Sequence, residues 1–169
     1  MHFLRHRRRP LAALPALAVL VVAAGCSSAD DSGPVAVPSP GAKVAKLCRD
    51  LDGVLPAEVD GLGRNDPEPA SALTAGWGGP EIILRCGVSR PPKMIDPKVA
   101  TGDDPDAIGG EVNGVQWLME KQDDGSTRFT TASRRAYVQV TVPADLDTAG
   151  VLTGLAPAVK KAIPEGIAD

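Results

Sequence analysis

The sequence predicts an α+β domain, a four-stranded antiparallel sheet with an N-terminal and a C-terminal helix packed on one face, in the order α-β-β-β-β-α. Three patterns predict it. Residues 42–56 and 147–164 carry apolar residues at helical spacing, so each stretch has one face to bury. Residues 81–88 and 136–143 alternate apolar and polar side chains, the period of a half-buried strand. Between them, residues 123–126 read DDGS, a turn sequence that joins strands of opposite direction. Sequential antiparallel strands flanked by two amphipathic helices make a two-layer α+β domain.

In the first helix Val44, Leu47, Cys48, Leu51 and Leu55 form the inward stripe, and Gly53 and Pro56 are stop signals. Residues 57–80 read as loop; there Trp77 stands among Gly76, Gly78, Gly79 and Pro80, a constrained setting that puts the indole over the sheet edge. The first strand, EIILRCGV at 81–88, places Ile82, Leu84, Cys86 and Val88 on one face. Prolines and acids at 89–110 end it in a long loop. The second strand, EVNGVQWLMEKQ at 111–122, sets Val115, Trp117 and Met119 on one side. TRFTT at 127–131 is the third, 133–135 the next turn, and AYVQVTVP at 136–143 the fourth, with Ala136, Val138, Val140 and Val142 aligned. The closing helix aligns Leu152, Leu155, Val159 and Ile163, and Pro157 in its interior is expected to kink or divide it.

Ahead of the domain lies an export signal. MHFLRHRRRP carries Arg5, Arg7, Arg8 and Arg9 and no acid, and the apolar run at 11–25 is shorter than the ~20 residues a membrane-spanning helix needs. A positive start, a short apolar centre and small residues before a cleavage point describe a signal peptide over residues 1–25. Ala24-Gly25-Cys26 resembles a bacterial lipobox, with Ala23 where leucine is usual. That resemblance implies lipid attachment at Cys26, as the new N-terminus. The Arg7-Arg8 pair lacks the rest of a twin-arginine motif, so general secretion is expected. Residues 26–41, rich in Ser, Pro and Gly, read as a flexible tether, 42–165 as the domain and 166–169 as a tail. The expected location is the outer face of the cytoplasmic membrane.

Four of the 18 basic residues and none of the 21 acids fall in residues 1–25, leaving 14 against 21 beyond them, a net of −7. Such a surface has no basic stripe for nucleic acid and no polybasic grip on anionic lipid. Both histidines, His2 and His6, lie in the signal. Without them the mature domain has no Ser-His-Asp or Cys-His catalysis and no His-ligated zinc. The motifs S-x-x-K and G-x-S-x-G and a phosphate-cradling glycine loop are missing too. No enzyme activity, cofactor or metal is expected. Asp103, Asp104, Asp106 and Glu111 supply oxygens that calcium favours, but Pro105 interrupts them and the central EF-hand glycine is missing, so they read as a solvated loop.

Three cysteines leave one without an internal partner. Cys48 lies on the buried stripe of the first helix and Cys86 on the inward face of the first strand, so in an oxidising compartment they are expected to pair. Their separation is unlike the C-x-x-C of redox pairs, which makes the bond structural. Trp77 reads first as a core or lid tryptophan; as a candidate binding residue it would be a stacking platform for a sugar or a partner side chain, and the other candidates, Arg134 and Arg135, read as solvated turn residues. The favoured function is a non-enzymatic interaction module that meets another envelope component. The alternatives are a small-molecule or glycan-binding lipoprotein using the Trp77 loop, and a hydrolase built on a carboxylate pair.

Cys48 with Leu55-Pro56 after it, GWGGPEIILRCGV at 76–88, VQWL at 115–118, RFTTASRRAYVQVTVP at 128–143 and a closing helix ending at Pro164 resemble the actinobacterial domain of unknown function 3515 family over residues 42–164. The resemblance implies a short exported or membrane-attached protein and supports the Cys48–Cys86 pair. It implies no catalytic residues.

Overall fold

A small antiparallel hairpin, β1 (Glu58–Val59) and β2 (Leu62–Gly63), precedes a main sheet of six strands rather than the expected four. The computed structural model describes residues 34–79 and 81–168, so the signal at 1–25 and Cys26 lie outside the described residues. The main sheet comprises β3 (Thr74–Trp77), β4 (Ile82–Cys86), β5 (Ala107–Val112), β6 (Val115–Lys121), β7 (Thr127–Thr131) and β8 (Val138–Val142). All neighbours are antiparallel, in the spatial order β3-β4-β8-β7-β6-β5.

Both extra strands have local causes. In β3 Thr74, Ala75, Gly76 and Trp77 are all buried, so the stretch carries no alternation to betray it. The expected second strand is two strands, because Asn113 and Gly114 take φ of 49° and 77° and turn the chain back. Positive φ at both central residues is what a two-residue hairpin turn requires, and Val112 and Val115 close it.

One face of the sheet packs beneath α1 (Ala42–Asp52) and α3 (Thr148–Ala162). Ile82, Leu84, Cys86, Val115, Trp117, Phe129, Val138, Val140 and Val142 meet Val44, Cys48, Leu51, Leu152, Leu155, Val159 and Ile163 in one core. Each fully buried aliphatic side chain there contributes about 1.5–3 kcal/mol. The helix α3 runs unbroken through Pro157, correcting the expected break. Pro157 and Thr153, one turn earlier, both sit on the water-facing side, where solvent can satisfy the carbonyl that the proline cannot.

The opposite face is crossed by residues 87–106, which connect β4 to β5 through a 3-10 turn (Pro92–Ile95) and the short helix α2 (Pro97–Thr101). At the other end of that face, residues 35–40 form a docked strap. The Val35 N–H donates to the Glu68 carbonyl at 2.9 Å, Arg85 Nε donates to the Ala36 carbonyl at 2.8 Å, and Pro38 is buried. Gly87 makes this possible: its φ is +85°, and a Cβ there would fall 2.5 Å from Pro40. Residues 35–40, which the sequence reads as tether, are therefore docked on the domain. Ser32–Asp169 form one compact unit holding this core.

Candidate functional site

The structure brings Cys48 and Cys86 together and separates the other residues singled out in the sequence. The two sulfurs are bonded, with Cα atoms 5.5 Å apart, and tie α1 to β4 inside the core. Trp77 ends strand β3 instead of occupying a loop and is 0% exposed. Its Nε1 donates to the Pro56 carbonyl at 3.0 Å, and the Arg64 guanidinium, paired with Asp52 and Asp66, lies 5.9 Å from the ring centroid. A ligand finds no free indole face there.

Arg134 is 5% exposed, which corrects its reading as a solvated turn residue. It donates to the Ile163 carbonyl at 3.0 Å and the Gly114 carbonyl at 3.2 Å, joining the end of α3 to the β5–β6 turn. Arg135 is exposed, and its backbone N–H reaches the Pro164 carbonyl at 3.0 Å. One arginine is structural and its neighbour points to water, so the two do not form a joint site. Asp103, Asp104, Asp106 and Glu111 do not converge either. The Lys93 ammonium hydrogen-bonds the Asp104 carboxylate, which holds that carboxyl below the usual range and raises the lysine. Asp103 accepts from Thr101 Oγ1 at 2.7 Å. Among the described residues no three cation-ligating side chains come together.

What stands open is the β5 end of the sheet. The Lys121 N–H donates to the Asp106 carbonyl and Val112 faces Val115, so residues 106, 108, 110 and 112 exchange hydrogen bonds with β6. By that alternation Ala107, Gly109 and Glu111 turn their backbone groups outward. Asp104 engages the Ala107 N–H. Among the described residues nothing hydrogen-bonds the outer backbone groups of Gly109 or Glu111. A groove of about 490 Å³ lies on the crossover side of this edge, with Met94, Val99, Ala100, Gly109 and Leu118 in its wall. A second, of about 360 Å³, lies on the helix side against Ile108, Met119, Phe129 and Thr148. Ile108 is 53% exposed between them. The edge is bare, and both its flanks are mostly apolar, with Asp106, Lys121 and Thr127 also lining the helix-side groove.

A family model described as a protein of unknown function, DUF3515, matches residues 10–168. The chain belongs to the DUF3515 family. No curated protein and no solved structure matches it. In this DUF3515 chain the residues of the open end went unread in the sequence, because Ala107–Val112 has two glycines and no alternation. A usable sign was present: the Asn113-Gly114 dipeptide between valines is the strongest short-range hairpin signature, and it implies a strand before it. Glu120 Oε2, Arg128 Nε and Thr130 Oγ1 are buried without a hydrogen-bond partner among the described residues.

Proposed function

We propose that this DUF3515 chain is a lipid-anchored binding module on the outer face of the cytoplasmic membrane, holding a disulfide-stapled domain against another envelope component. The single observation that carries the binding role is the bare β5 edge between two mostly apolar grooves. Apart from the charges of Asp106 and Glu111 at its ends nothing blunts this edge, and an uncovered strand edge is a ready template for a partner strand. The anchor follows from cysteine chemistry. The Cys48–Cys86 bond uses both cysteines of the domain and leaves Cys26, in its Ala24-Gly25-Cys26 setting, as the odd one. Stable attachment at Cys26 takes more than one acyl chain, which diacylglycerol plus N-acylation supplies. The alternative of a sugar stacked on Trp77 has no support in this geometry, since the ring is enclosed.

Fractionation of cells expressing the full chain tests the anchor. The wild type is expected in the membrane pellet after carbonate washing, and Cys26→Ser in the soluble or retained-precursor fraction, with no acylated species. Equal membrane retention of a processed Cys26→Ser protein would contradict lipid attachment.

A further inference from the structure

We propose that the outer edge of β5 takes an extended peptide segment of another protein as a seventh strand, and that this segment is a short apolar run flanked by lysine or arginine. The inference names the ligand class of the binding-module reading and rests on it. Strand addition draws affinity from main-chain hydrogen bonds and specificity from pockets that accept alternate side chains. The β5 edge supplies both. Gly109 and Glu111 offer two outward N–H groups and two outward carbonyls, a ladder already spaced for antiparallel or parallel addition.

The side chains of an added strand alternate between the two faces of the sheet. Those opposite Gly109 and Glu111 point to the crossover side, toward the groove of Met94, Val99 and Leu118. Those on either side of them point to the helix side, toward Ile108, Met119 and Phe129. Gly109 lacks a side chain, and no atom lies within 4 Å of the place its Cβ would take, so the approach to the first groove is unobstructed. With both flanks mostly apolar, consecutive apolar residues are accommodated, as in a strand buried on both faces.

Charge selects the partner. Asp106 and Glu111 stand exposed at the two ends of the edge, and neither forms an ion pair among the described residues. Lys121, the cation on the adjoining strand, directs its Nζ to the Pro105 carbonyl at 3.5 Å. A second copy of this chain fits poorly. Two β5 strands paired antiparallel about Gly109 would set Glu111 opposite Ala107 and Asp106 opposite Val112, gathering four carboxylates along one short seam with no cation from either strand. Basic flanks on a foreign strand reverse that sign.

The chain from residue 27 to 169, which carries the whole compact unit, provides the test with its disulfide intact. It is titrated with the labelled peptide Lys-Lys-Thr-Val-Ile-Val-Thr-Lys-Lys and with the same peptide bearing glutamates at both flanks. The lysine-flanked peptide is expected to bind at least tenfold more tightly, and Glu111→Lys to narrow or invert that ratio. Gly109→Pro deletes an outward N–H that the ladder does not use, and proline is tolerated on edge strands. It should weaken binding at least tenfold at an unchanged melting temperature. Binding unaffected by Gly109→Pro overturns strand addition while leaving a binding module that works elsewhere. No binding of either peptide at millimolar concentration overturns the inference outright. A wild-type dimer that Gly109→Pro converts to monomer overturns it in favour of a second copy. None of these outcomes bears on the membrane fraction of Cys26→Ser, so the anchor stands or falls separately.

Discussion

Replacing Cys48 and Cys86 together by alanine is expected to lower the stability of the domain by about 4 kcal/mol, because the bond closes a loop with a sequence separation of 38. For a domain of this size that corresponds to a fall in melting temperature of roughly 12–20 °C. Small domains commonly hold only 5–15 kcal/mol in all, so the bond supplies a large fraction of the margin. Position adds to loop length. The bond links α1, which covers one face, to β4, the strand whose Arg85 also fastens the N-terminal strap through the Ala36 carbonyl. Loss of the bond frees α1 and weakens the strap's support. Thermal melts of the double variant and of the reduced wild type check this. An unchanged melting temperature in both would contradict a structural bond.

Trp77→Ala is expected to cost 3–5 kcal/mol, the usual range for removing a large aromatic from a packed core. The ring belongs to the core that the sheet shares with the helices, and its removal leaves the Pro56 carbonyl without the indole N–H. Denaturant unfolding measures the loss. Before unfolding, the wild-type tryptophan emission should resist acrylamide quenching, because Trp77 and Trp117 are 0% and 1% exposed. A near-neutral Trp77→Ala variant that lost affinity for a sugar would instead restore the stacking-platform reading.

These three residues show how far the sequence can be read. The Cys48 stripe and the Cys86 face were legible because helical spacing and strand alternation each mark an inward direction, and the structure buries both. The strands β4, β6 and β8 are legible for the same reason, and β7 from the DDGS turn that precedes it. Alternation vanishes where a strand is buried on both faces, as in β3, so the glycines around Trp77 make that stretch read as loop. It vanishes again in β5, where Gly109 and Gly110 remove the side chains that would carry the pattern. Arg134 reads as solvated because a charged residue in a turn ordinarily faces water; here two carbonyls at the end of α3 and at Gly114 compensate its burial. The strap was hidden because Pro38 and Pro40 look like tether, and only the positive φ of Gly87 opens a seat for them.

The candidate site was less legible than the fold, for a reason that lies in what a binding edge consists of. Catalytic sites announce themselves through side-chain chemistry. The β5 edge works through backbone groups that every sequence possesses, and its grooves are assembled from Met94, Val99, Ile108, Leu118 and Met119, which lie far apart along the chain.

Residue-resolved amide hydrogen exchange on the free domain tests that edge most directly. Gly109 and Glu111 should exchange fast, as open amides do, while Ile108 and Gly110 between and beside them are protected by β6. An alternation of fast and slow amides along β5 is the predicted result. Uniform protection from Ile108 to Glu111 would show the edge already paired, and would contradict an open docking strand.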